Sequence, residues 1–236
     1  MDETARIGLP LVQAAQAQKH VTVNEALTRL DALCPLVIAA RDLAQPPGDA
    51  AEGTVYAVPT GASGGWEGQA GRLALRLNGG WVFVLPGRGW TAFLAAEGRA
   101  AIHDGTDWQP GALTLSQGGA GLSAGIVAGD HVVTPGTSLS TGILIPAGVL
   151  VIGVTARVRE TLTGTLSAWR IGTPGAVDRF GSGLGLPAGS WARGMLGAPM
   201  TYYSAAPLVL TAEGGSFAEG RVELAVHFLE TRLPAA

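Results

Sequence analysis

The sequence predicts a mainly β protein with an N-terminal helical arm, a small tryptophan-hairpin β module and a C-terminal antiparallel, jelly-roll-like β-sandwich. Three observations lead there. Glycine supplies 36 of 236 residues and charged residues only 14%, against usual shares of about 7% and 25%, which is the balance of a turn-rich β chain. Tryptophans recur just past tight-turn signals. The C-terminal half alternates apolar and polar side chains with a period of two, the pattern of strands that bury one face. An apolar content of 47% excludes a disordered chain and supplies enough side chains for a core.

Residues 1–45 differ from the rest. Thr22 and Glu25 read as a capping box, in which hydroxyl and carboxylate each satisfy an orphan backbone N–H. Apolar Val23, Ala26, Leu27, Leu30 and Leu33 then recur at helical spacing, and Pro35 forbids continuation past Cys34. Upstream, residues 9–19, with the core Gln13-Ala14-Ala15-Gln16-Ala17-Gln18, fit either a second helix or an extended arm. The apolar stripe needs a partner, either the chain's own β domain or a neighbouring subunit. Leu9, Leu11, Val23, Leu27, Leu30 and Leu33 are therefore the candidate attachment and oligomerisation residues.

Residues 46–110 carry the hairpin signals. Trp66 follows Gly64-Gly65, Trp81 follows Asn78-Gly79-Gly80, Trp90 follows Gly87-Arg88-Gly89, and Trp108 follows Asp104-Gly105-Thr106-Asp107. Asn-Gly and Asp-Gly suit the positive φ angles of type I′ turns. Gly71 to Trp81 is echoed by Gly98 to Trp108, a weak internal repeat. Residues 111–125 hold five glycines and no charge, the composition of a linker. From 126 to 236 the alternation is clear: Val154, Ala156 and Val158 against Thr155, Arg157 and Arg159, and Val222, Leu224, Val226 and Phe228 against Arg221, Glu223, Ala225 and His227. Weakly charged strands of this kind have edges that invite association, so a homo-oligomer is expected.

A net charge of −3 with scattered basic residues argues against a nucleic-acid partner. Cys34 is the single cysteine, which excludes an internal disulfide and suits a reducing compartment. Met1-Asp2-Glu3 lacks a secretory apolar core. The longest apolar run, residues 143–154, is broken by Pro146, Gly148 and Gly153, so no membrane insertion is expected.

Gly121-Leu122-Ser123-Ala124-Gly125 matches G-x-S-x-G, with Asp178 and His227 following in hydrolase order. The motif works only on a strand-to-helix turn, and no such pattern flanks it. His103, Asp104 and Asp107 are read as a hairpin turn rather than a metal site, and the four histidines lack zinc spacing. Asp178, Glu160, Glu213 and Glu219 are the acids a glycosidase would draw on, with no sign that two converge. No enzyme, cofactor or metal is expected. The better clue is aromatic rings beside arginines. Trp169, Arg170, Arg179, Phe180, Trp191, Tyr202 and Tyr203 are the candidate glycan contacts, because sugar faces stack on rings and guanidinium forks grip carboxylates. Trp169 alternates with threonines and is expected to be exposed.

Gly8-Leu9-Pro10-Leu11, Gln16-Ala17-Gln18-Lys19-His20, Asn24-Glu25-Ala26-Leu27 and Leu30-Asp31-Ala32-Leu33, followed by the tryptophan hairpins, resemble an uncharacterised domain family of alphaproteobacterial phages and gene transfer agents. The resemblance covers about residues 6–110. Ile145-Pro146-Ala147-Gly148 through Phe180-Gly181, and Ala225-Val226-His227-Phe228, resemble the C-terminal β domain of tail-fibre and head-spike proteins. It implies a structural protein of the virion surface, assembled in the bacterial cytoplasm. The implied form is a trimer or pentamer joined to a capsid vertex or tail and fibre protein, contacting host capsular polysaccharide. A capsule depolymerase and a passive connector are the alternatives.

Overall fold

The computed structural model describes residues 3–13 and 19–234. The fold is mainly β, with one N-terminal helix and several sheets, and the chain divides into two compact units, Met1–Leu115 and Ser116–Ala236. Of the glutamine-rich arm, residues 14–18 lie outside the described residues, and residues 9–13 are not helical.

Helix α1 (Lys19–Leu33) begins before Thr22. Thr22 is therefore inside the helix and caps nothing, and Glu25 instead pairs with Arg29 one turn on at 2.6 Å. Only the end of the apolar stripe packs on the unit's own sheet, through buried Ala32 and half-buried Leu33. Val23 and Leu30 are 43% and 57% exposed, and Leu27 is half-buried.

The segment before the helix clamps it. Glu3 bridges to Pro10, with Gly8 at φ +69° in the turn between them. Asp31, nearly fully buried, accepts three bonds from this loop: from Thr4 Oγ1 at 2.7 Å, Ile7 N at 2.7 Å and Arg6 N at 2.9 Å. The Arg6 guanidinium donates to the carbonyls of Asp31 and Ala32 at 3.0 and 2.6 Å, groups that a helix end otherwise leaves without partners, and to that of Pro35 just beyond at 2.9 Å. Asn24 holds both backbone groups of Val12, at 2.8 and 3.0 Å. Leu9 and Leu11 are half-buried in this clasp. Burial pushes the Asp31 carboxyl up, but the bonds from Ile7, Thr4 and Arg6 outweigh it and hold the carboxyl below its ordinary value.

Seven strands follow: β1 (Val37–Ile38), β2 (Val55–Ala57), β3 (Leu73–Leu77), β4 (Gly80–Val84), β5 (Thr91–Leu94), β6 (Arg99–His103) and β7 (Trp108–Pro110), in the order β4-β3-β2-β1-β5-β6-β7. The internal repeat is now explained, because β3–β4 and β6–β7 are hairpins on opposite flanks of one sheet. Asn78 and Gly79, at φ +52° and +73°, form the first turn. Trp81 and Trp108 do follow hairpin turns, but Trp66 sits in a 3-10 turn between β2 and β3 and Trp90 precedes β5. Trp66 is buried beside Tyr56 and Trp81, with ring centroids 5.6 and 5.2 Å away. The other face of the sheet packs Ile38, Leu73, Leu75, Leu94 and Trp108. A short strand, β8 (Ala112–Leu115), follows.

The second unit holds β9 (Gly121–Val133), β10 (Ser138–Ile145), β11 (Val149–Gly164), β12 (Ala168–Thr173), β13 (Ala176–Leu184), β14 (Trp191–Tyr202), β15 (Ala206–Glu213) and β16 (Phe217–Arg232). One sheet runs β10-β15-β12-β13 and the other, within this unit, β14-β11-β16-β9. All these pairings are antiparallel. One core draws on both sheets, with Ile145, Trp169, Ile171, Phe180 and Leu210 facing Val154, Val158, Leu224 and Val226, the arrangement of a sandwich.

Residues 111–125 are not an unstructured linker; they supply β8 and the start of β9. Of their glycines, Gly111 and Gly119 take positive φ, at +69° and +84°, and Gly125 serves packing. A Cβ on Gly125 would lie 2.3 Å from the Phe228 ring opposite. Gly194 does the same for backbone, since its Cβ would lie 1.9 Å from the Phe180 carbonyl oxygen and so sets the approach of β14 to β13. Gly194→Ala is expected to cost about 1–3 kcal/mol, the usual range for overpacking, read as a lower urea midpoint at unchanged slope.

Candidate functional site

The outer face of the β14-β11-β16 strands presents one aromatic side chain among cations. Alternation on β14 puts Ala192 in the core and Trp191 and Arg193 outside. Register then fixes their neighbours: Trp191 lies opposite Arg157, Arg193 opposite Thr155, and Arg157 opposite Glu223 on the far side. Residues directly opposed in an antiparallel pair share a face. Together they line a shallow groove of about 410 Å³.

Trp191 is 64% exposed, and the Arg193 guanidinium carbon lies 5.9 Å from its ring centroid, within cation–π range. Glu223 receives Arg159, through Nε at 2.7 Å and through a second close contact from the same guanidinium. Neither Arg157 nor Arg193 makes an ion pair among the described residues. The groove therefore combines a flat apolar ring with two guanidinium groups that form no ion pair, beside a Glu223 carboxylate already bound by Arg159. Arg157 escaped the sequence reading, which placed it on a wet face but had no way to see that β11 and β14 bring it beside Trp191.

The other expected contacts divide. Trp169 is buried, 2% exposed, and its Nε1 donates to the Gly185 carbonyl at 3.0 Å. The threonine alternation misled because β11 ends at Gly164 and β12 begins at Ala168, so a corner at residues 165–167 resets which side faces inward. Phe180 is likewise a core side chain. Arg170 is bound to Glu213 at 2.8 Å. The Gly183 N–H and that guanidinium together hold the Glu213 carboxyl below its ordinary value. Arg179 contacts the Met200 sulfur, Tyr202 is half-buried against the core, and Tyr203 is 90% exposed. Trp191 begins β14 and Tyr203 lies just past its other end, so the seven residues do not form one site.

The hydrolase-like residues do not assemble. Ser123 lies inside β9 rather than on a strand-to-helix turn. Ile126 is opposed to His227, so strict alternation turns Ser123 to the other face of that sheet, while Asp178 belongs to the second sheet. His227 instead meets Thr155 Oγ1 at 2.9 Å. Glu160 is paired with Arg221 at 3.0 Å. Asp104 makes the turn expected of it, accepting from Thr106 N and Asp107 N at 2.8 and 2.9 Å. No cluster of three metal-binding side chains occurs among the described residues, and no described helix is long and apolar enough to cross a membrane.

Residues 23–109, within the first unit, match a protein family described as "Protein of unknown function (DUF2793)". A solved chain described as "Cyanophage Pam1 capsid asymmetric unit" is similar at 22% identity over 47% of this chain and 84% of its own length, with a TM-score of 0.32. No curated protein matches.

Proposed function

We propose that this chain is a structural component of a phage-type particle, a head spike or tail fibre subunit. In this reading its second unit binds the acidic polysaccharide of a host surface through Trp191, Arg157 and Arg193, without cleaving it. The exposed indole between two unpaired guanidinium groups carries the reading, since a sugar ring stacks on the one while a uronate carboxylate meets the others. The particle assignment is supported by the N-terminal motifs, whose Gly8, Asn24 and Asp31 all serve the clasp around α1. One such site is weak. Three or five copies on an oligomer raise the apparent affinity by roughly 10² to 10⁴.

Trp191→Ala is expected to weaken binding to immobilised acidic capsule by about fivefold per site, the equivalent of roughly 1 kcal/mol of ring contact, with the melting temperature unchanged. Equal retention by wild type and the triple variant Trp191→Ala, Arg157→Ala, Arg193→Ala removes the site. Shortened polymer on a sizing column after incubation with the protein overturns the non-catalytic part.

A further inference from the structure

The first unit contains a concavity of different chemistry. Strands β1, β2 and β5 run parallel, and the segments leaving their carboxyl ends, residues 39–42, 58–60 and 96–97, line a cavity of about 540 Å³. Ligand pockets occupy a few hundred to a thousand Å³. Ile38, Ala57 and Leu94 give the lining an apolar floor.

The polar groups are unequal in what they have left to offer. Arg41 is spent: its Nε donates to Glu97 at 2.5 Å and its NH1 to the Trp108 carbonyl at 3.3 Å, with Asp107 4.0 Å away. Asp42 is exposed and has no partner among the described residues, so the mouth is negative. His103 is 3% exposed and lines the same cavity. Its Nδ1 accepts the Gly105 N–H at 3.2 Å, which puts the proton of the neutral ring on Nε2. No described residue bonds Nε2. The cavity thus presents a ring N–H that no described residue engages and that water or a ligand oxygen can accept from.

A fitting occupant brings an acceptor to His103, donors to Asp42 and Asp107, an apolar face to the floor and no negative charge. An alkylammonium satisfies the carboxylates and leaves His103 as it was. A uronate meets like charge at the mouth. Hydroxyl groups donate and accept at once, and a sugar ring adds a face of C–H bonds. We infer that this cavity binds an uncharged sugar unit, free or at the end of a glycan chain. The site is separate from the Trp191 groove in residues, in unit and in the charge it selects.

The test is a chemical-shift titration of the full chain with methyl glycosides of glucose, galactose, mannose and N-acetylglucosamine, with glucuronate and n-butylamine alongside. At least one neutral glycoside is expected to give saturable shifts at the amides of residues 39–42 and 103–108. Glucuronate and butylamine bind there roughly tenfold more weakly, and Asp42→Asn loses roughly tenfold for that glycoside, as for a charged hydrogen bond. Asp42 is exposed, so this variant folds where a change at His103 need not. Tighter binding of a neutral oligosaccharide than of its methyl glycoside identifies a chain end, and equal binding a free sugar. Absence of saturable shifts with every neutral glycoside, or equal binding of glucuronate or butylamine, overturns the inference. A failure of the Trp191 reading registers only in amides of the second unit.

Discussion

Replacing Trp169 with alanine costs the second unit about 3–5 kcal/mol, the range measured for deleting a buried tryptophan or phenylalanine. The indole is enclosed by the shared core of both sheets, beside Ile171, Phe180 and Leu210, and removing it also deletes the bond that its Nε1 donates to the Gly185 carbonyl. A hole this large in a close-packed interior fills only partly. Urea unfolding followed by far-UV circular dichroism is expected to show a lowered midpoint for the second unit. The contrast with Trp191→Ala is the sharper check: one substitution removes stability and the other removes capsule retention. A Trp169→Ala chain that melts like wild type but releases capsule reverses the assignment.

Asp31→Asn is expected to destabilise the first unit by roughly 3 kcal/mol, because three donors converge on a buried carboxylate and bonds to charged groups contribute about 1.5–3 kcal/mol each before coupling. The amides of Arg6 and Ile7 should lose their hydrogen-exchange protection first. The pH dependence has a definite sign. The carboxyl is held below its ordinary value in the folded chain, so its contribution is complete above the usual carboxylate range. It is lost as pH falls through the folded value. On acidification wild type should therefore converge on the variant. A constant gap between the two from neutral to strongly acid pH refutes the role given to the clasp.

Strand content was legible wherever one face stays inward over many residues. Val154, Ala156 and Val158 are buried as the alternation demands, and Val154 and Ala156 oppose Val226 and Leu224, themselves read as an inward row. Chain reversals defeat this kind of inference. Trp169 was misassigned because a three-residue corner shifts the inside-outside phase. Composition failed at residues 111–125, where the chain forms strand and Gly125 marks close packing against Phe228 rather than slack. Nothing local announces β1, two residues whose partners on both sides are distant in sequence and parallel. Of the candidate groove, Trp191 alone was among the expected contacts; Arg193 reaches it by alternation along β14 and Arg157 by pairing between strands. His103 was noticed only as part of a turn. Its burial above a cavity depends on where β1, β2 and β5 end.

The shortness of β1 has a mechanical consequence. Two three-stranded meanders, β2-β3-β4 and β5-β6-β7, are each knit by neighbouring segments and share a core, but within the sheet they are joined through β1 alone. Bonds such as Ala39 N to the Val55 carbonyl and Phe93 N to the Leu36 carbonyl carry that seam. Under tension the first unit should part along this line, releasing two hairpin-built halves before either half unravels.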